Sequence, residues 1–265
     1  MNSILYNFIN HKKINGTLFY CFEYYCFLRD NGIELNYIIV DISDKDLAYV
    51  KEIFKDKYTF NHEYLNDIIP IRKRTQLHKL KIKNLITLDT RSIEMNKPFV
   101  SNSNIFPYSA SGDTSTIKLD FYGWYSFQKP WKYKTRVKLY KEMHKTFPRV
   151  DNKIFFSSYS ARYINLQSQI GYKFEDVIEK DSDVAVDNLF SKISKVVYYG
   201  TMIDTNNRLV VEAYIHGIDF ELYNPYEDSV KERNELIKSG RGDELFLTMD
   251  DLLIQDFIKS INENS

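Results

Sequence analysis

The chain of 265 residues balances 36 Lys and Arg against 36 Asp and Glu, and it is 43% hydrophobic and 15% aromatic. That length can bury one large core or two modest ones. No run of eighteen apolar residues occurs, which excludes a transmembrane helix, and Met1 to Phe8 lack the basic start, apolar core and cleavage site of a signal peptide. Charge is unevenly spread: residues 1–150 hold 24 basic against 15 acidic side chains, and residues 151–265 hold 12 against 21. The asymmetry predicts two surfaces with different partners. Cys21 and Cys26, five apart on one helix, read as free buried thiols in a reducing, cytoplasmic setting. Abundant Lys, Asn, Ile and Tyr with scarce Ala resembles AT-rich coding, as in many phages and some bacteria.

In chain order, Ser3 to Ile9 predicts a first strand. Leu18, Cys21, Phe22, Tyr25 and Leu28 mark the apolar face of a helix that Asn31-Gly32 stops. Leu35 to Asp41 is a second strand, so the start is a βαβ unit of Rossmann type. Gly16 alone opens its helix, so a dinucleotide fingerprint is absent. Lys45 to Lys55 predicts a helix, Asn84 to Asp89 and Phe99 to Ser101 further strands, and Ile105 to Thr116 a loop. Trp124 to Trp131 reads as aromatic and turn-like, and Thr135 to Lys145 as helical. A domain boundary is expected near Pro148, dividing residues 1–150 from 151–265. Beyond it come a strand at Lys153 to Ser157, helices at Tyr159 to Gln169 and Asp187 to Ser191, and two last helices at Ser229 to Lys238 and Met249 to Ile261.

The most informative stretch runs from Val196 to Tyr223 and reads strand, loop, helix, glycine, strand. Leu209, Val210, Ala213 and Gly217 recur at the spacing of one buried helix face. Arg208, Glu212 and His216 sit four apart along the opposite edge. The helix start suits a phosphate, and a carboxylate further in can take both hydroxyls of a ribose. Asp204, seven residues, Glu212-Ala213, three residues and Gly217 before a strand resemble the donor site of the GT-B glycosyltransferases, with Asp for the family's first Glu. The resemblance implies two Rossmann-like domains facing a cleft, an α/β fold, with 1–150 binding acceptor and 151–265 binding donor. It implies Glu212 at the nucleotide ribose, Asp204 near the transferred sugar, and Gly200, Thr201 and Arg208 around the diphosphate. Asn15-Gly16-Thr17 resembles the family's first glycine loop. The bland alternative is an Arg208–Glu212 pair on a solvated helix.

Basic and aromatic residues interleave at Arg72-Lys73-Arg74 and from Trp124 to Lys145, including Trp131, Lys132, Lys134, Arg136 and Lys138. Such patches take phosphates and stack on bases, and they read equally as solvated faces. Asp181-Ser182-Asp183 matches an Asp-x-Asp metal motif but falls in a polar connection, so no metal and no cofactor is expected beyond the nucleotide sugar itself. The general base of an inverting transfer falls among Asp113, Asp89 and His11, with Asp113 favoured for its glycine-flanked loop. The expectation is a cytoplasmic, metal-independent glycosyltransferase acting on a hydroxylated base in phage DNA. Alternatives are a saccharide acceptor and a non-catalytic nucleic-acid-binding protein.

Overall fold

The computed structural model describes residues 1–6, 16–40, 42–71, 73–87, 103–107, 138–156, 177–179, 186–199, 208–223 and 229–263. It is a mixed α/β protein with two parallel sheets. The chain clusters into two compact units, the first made of Met1–Glu52, Phe60–Tyr140 and Leu247–Ser265, the second of Ile53–Thr59 and Lys141–Phe246. The expected cut near residue 150 falls within the second of these units, a few residues after Lys141. The last helix returns to the first unit, and a short piece around Tyr58 joins the second.

In the first unit, strands β1 (Asn2–Tyr6), β2 (Tyr37–Val40), β3 (Ile68–Pro70), β4 (Asn84–Thr87) and β5 (Asn104–Pro107) form one sheet in the order β3-β2-β1-β4-β5. Every pair is parallel, and the order matches the first five strands of a Rossmann sheet. Leu5, Ile39 and Leu85 pack on one face with Leu77 and Ile82. Ile4, Ile38 and Ile86 are equally buried on the other face. Burial on both sides explains why these strands read as continuous apolar runs. Helix α1 (Gly16–Asp30) is buried nearly all round, with Leu18, Cys21, Phe22, Tyr25 and Leu28 each at or near zero exposure. It ends as Asn31-Gly32 predicts. Gly32 takes φ of +80°, and the Ile33 N–H donates to the Leu28 carbonyl at 2.9 Å. Both cysteines are free and buried.

A row of side-chain amides ties the amino ends of the strands together. Asn84 Nδ2 donates to Asn2 Oδ1 (2.8 Å) and Asn104 Nδ2 to Asn84 Oδ1 (3.1 Å), and the Ser260 hydroxyl donates to the same Asn84 oxygen at 2.6 Å. Helix α2 (Asp44–Lys57) follows β2.

The second unit holds β6 (Lys153–Phe156), β7 (Val177–Glu179), β8 (Ile193–Tyr199) and β9 (Asp219–Tyr223), in the order β7-β6-β8-β9, again parallel. Helices α3 (Val186–Lys192), α4 (Leu209–Ile215) and α5 (Ser229–Lys238) belong with it. Phe155, Leu189, Phe190, Ile193, Val196, Ala213 and Ile218 form its core. Helix α6 (Leu252–Glu263) belongs to the first unit, where Phe257 meets Phe106 edge to face at 5.3 Å.

Two expectations are corrected. Residues 105–107, expected to begin a loop, belong to β5, because the strand pairs with β4 from Asn84–Asn104 to Thr87–Pro107. The helix expected over 135–145 is not formed where the chain is described. Lys141–Met143 is a short 3-10 turn. The backbone groups there bond elsewhere: the Tyr140 N–H donates to Glu23 Oε2 (3.1 Å), and the Leu139 carbonyl accepts from the Leu247 N–H (2.9 Å). The strand expected at 99–101 and the helix at 159–169 lie outside the described residues.

Candidate functional site

Parallel sheets bind ligands beyond the carboxyl ends of their strands, where the strand order reverses. In the first unit the reversal falls between β1 and β4, and in the second between β6 and β8. The segments leaving those four ends are residues 7–15, 88–102, 157–176 and 200–207. They carry His11, Asp89, Gly200, Thr201 and Asp204, and all lie outside the described residues. In chain order, the sequence-predicted donor loop follows β8, one of the two strands flanking the reversal.

The chain re-enters the described structure at Arg208, the residue before α4. The unit β8–α4–β9 forms as the spacing predicts, and Gly217 closes the helix at φ of +61°. The Ile218 N–H donates to the Ala213 carbonyl at 2.8 Å. One feature of the helix departs from expectation. Val210, Val211 and Ala213 are buried, but so are Arg208 and Glu212, at 7% and 5% exposure. Their pairing is therefore not one on a solvated face.

Glu212 sits at the centre of a buried ion cluster. Lys57 Nζ donates to Glu212 Oε1 at 2.6 Å, and Arg208 Nε donates to the same oxygen at 3.2 Å. Arg208 Nη2 also donates to the Tyr58 hydroxyl at 3.0 Å. Tyr58 pairs with His144 as an isolated antiparallel bridge, their rings edge to face at 5.2 Å. Burial opposes ionisation of Glu212, but the Lys57 ammonium and the Arg208 guanidinium overcome it and hold the carboxyl well below its usual range. Among the described residues, no donor reaches Glu212 Oε2. Its remaining capacity is about two hydrogen bonds.

Lys57 ends α2, and that end is pinned. Lys145 Nζ donates to the carbonyls of Lys55 (2.6 Å) and Asp56 (2.9 Å), closing the helix terminus. The Thr59 N–H donates to the Met143 carbonyl at 2.8 Å. His216, one turn beyond Glu212, is half-buried and stacked between Phe190 (4.5 Å) and Phe147 (6.1 Å). Burial lowers its pKa to about 4, against the opposing pull of Glu212.

The other sequence-predicted residues fare differently. Gly16 opens α1, as expected, with Thr17 next. Lys73 is exposed, and its backbone N–H donates to Gln76 Oε1 at 2.9 Å. Arg74 begins a 3-10 segment. Lys138 is committed to Asp251 at 2.7 Å within the first unit. Arg72, Asp113, Trp131, Lys132, Lys134, Arg136, Asp181 and Asp183 lie outside the described residues. Among the described residues, no group of three or more His, Cys, Asp and Glu gathers as metal ligands, and no helix is long and apolar enough to cross a membrane. Lys57, Tyr58 and His144 were not singled out by sequence. Lys57 lies 155 residues from its partner, and a basic residue at a helix end reads only as a complement to the helix dipole.

Two surface depressions lie in the first unit. One is lined by Arg29, Glu34, Asn36 and Asp67, the other by Asn2, Asn36, Lys83 and Asn84. Both open at the amino ends of the strands, away from the switch point. Arg29 Nη1 there meets the Tyr25 hydroxyl, the Leu35 carbonyl and Asp67. Among the described residues, buried charged side chains gather at Glu212, with Lys57 and Arg208 on its Oε1. Comparison with protein-family models, with curated proteins and with solved structures finds no match to this chain.

Proposed function

We propose that the protein is a nucleotide-sugar-dependent glycosyltransferase whose second unit holds the donor at the start of α4. The observation that carries this reading is Glu212: a buried, ionised carboxylate with both neighbouring cations on Oε1 and acceptor capacity left on Oε2. A ribose diol offers two hydroxyl donors, and Oε2 has the acceptor capacity to take them. Arg208 and the segment 200–207 are proposed to face the diphosphate, where positive charge stabilises the leaving group. The two-domain GT-B arrangement belongs to this proposal and is supported by the two parallel sheets. Asp204, at the sugar, and Asp113, as general base, complete it.

The test is calorimetric titration with nucleoside diphosphates. Glu212→Ala should weaken binding by roughly tenfold or more, since a hydrogen bond to a charged group contributes about 1.5–3 kcal/mol. Unchanged affinity in a folded variant would sink the donor site.

The DNA acceptor is proposed on Arg72, Lys73, Arg74 and the segment 124–136. Lys138 pairs with Asp251, and Lys145 caps α2. Those commitments remove two lysines from the basic stretch and support the second reading, a saccharide acceptor. Duplex DNA affinity that falls steeply with salt supports DNA; a saccharide bound without salt dependence supports the second reading.

A further inference from the structure

We infer that Lys57 is the positioning residue of the ribose site: by holding Glu212 Oε1 it turns Oε2 to the ligand and makes the site prefer ribose over 2′-deoxyribose. This rests on the nucleotide reading above and extends it to sugar selectivity, through a residue that no donor-site pattern includes.

The argument begins with geometry. A carboxylate in the middle of a seven-residue helix can rotate about its terminal torsion, which is broad and nearly two-fold. Nothing on α4 itself fixes it except Arg208, whose guanidinium also serves the Tyr58 hydroxyl. Lys57 approaches from another element at 2.6 Å, the shorter of the two contacts. Its backbone has little freedom, being set between the Lys145 cap on Lys55 and Asp56 and the Tyr58–His144 bridge. Its side chain is 8% exposed, so its contact is not a fluctuating surface pair.

Charge comes second. The groups facing Glu212 are Lys57 from α2, Arg208 from the start of α4, His144 from beyond the 3-10 turn and His216 from the end of α4. Without the ammonium, burial pushes the carboxyl upward and only Arg208 opposes it strongly. A protonated carboxyl can accept from one hydroxyl but presents its own O–H to the second, so it loses the diol match.

The experiment titrates UDP, ADP and GDP, each against its 2′-deoxy form, into wild type, Lys57→Met and Lys57→Arg at pH 5 and pH 8. The paired ligands carry identical phosphates, so titration of phosphate cancels in the ratio. Wild type should prefer the ribo form of its best nucleotide by about tenfold at both pH values. Lys57→Met should bring that ratio toward one, more so at pH 5, and Lys57→Arg should restore most of it. If Lys57→Met does not fold, Lys57→Gln keeps a donor but no charge and is read the same way. A wild-type ratio retained by the folded neutral variant at both pH values overturns the role of Lys57 and leaves the donor site standing. A wild type that binds ribo and deoxy forms equally, or neither, overturns the ribose reading and this inference with it.

Discussion

Replacing His216 by Phe should flatten the acid limb of the stability curve. The imidazole lies parallel to the Phe190 ring at 14° and to the Phe147 ring at 19°, so a third phenyl ring keeps the stack. Burial is the largest cause of the lowered pKa; Glu212 works against it, and His144 and Lys57 add to it. The folded value of about 4 lies below the ordinary 6.5. Between those values the unfolded chain binds a proton that the folded chain refuses, so stability falls as pH drops through this window and is unaffected above it. The full gap corresponds to about 3 kcal/mol. Water reaches part of the ring, and screening reduces the expected loss to about 1–2 kcal/mol. Glu212 does not interfere, because its depressed pKa contributes stability that is lost only below the ordinary carboxylate value near 4.5. Urea unfolding at pH 7.5 and pH 5.0 reads the effect. Wild type should lose about 1–2 kcal/mol more than His216→Phe between the two conditions. Equal losses would show that the folded protein accepts the proton at its ordinary pKa, and the burial argument would fail.

Gly242→Ala should cost about 1–2 kcal/mol by thermal or urea unfolding, because a Cβ there would stand 2.5 Å from Tyr214 Cε1 and drive that ring off its stack with Phe246; in a Tyr214→Ala background the same change should be close to neutral. Asn84→Ala should cost about 2–4 kcal/mol in the same assay, since it strands the Asn2, Asn104 and Ser260 groups that meet on one buried amide. A cost below about 0.5 kcal/mol would mean that water replaces the amide, and the row would not be structural.

The parts legible in sequence are those fixed by neighbours in the chain. Helix α1 follows from apolar residues three and four apart and a glycine stop. The β8–α4–β9 unit follows from the same spacing, with Gly217 in the left-handed turn it requires. Strand β5 was missed because its two strand-favouring residues, Ile105 and Phe106, stand between Asn104 and Pro107, too short a run to read as a strand without its pairing with β4. The spacing of Leu139 and Met143 resembles a helix face, but both are buried for tertiary reasons and the backbone bonds point to Glu23 and Leu247. At the site, the Arg208–Glu212 pair was legible at a spacing of four. Its burial and its third member were not, since Lys57 reaches Glu212 only through the tertiary fold.

The ion cluster is hard to explain by stability. Removing one partner of a buried pair leaves an unpaired charge and costs about 3–5 kcal/mol, yet replacing the whole set with apolar side chains is often neutral or stabilising. The surroundings would accept such a replacement, since Val210, Val211 and Ala213 are fully buried on the same helix. A sequence selected only for a stable α4 would therefore extend that apolar surface across position 212. It instead carries a carboxylate there, supplies one cation from the helix itself and a second from a remote helix end, and spends three further groups, Lys145, Tyr58 and His144, on holding that end in place. The two cations share Oε1, whereas simple neutralisation would be served better by one on each oxygen. An arrangement that concentrates the charge on one oxygen and leaves acceptor capacity on the other is what the proposed nucleotide site needs, and its helix follows β8, one of the two strands that flank the reversal of the sheet.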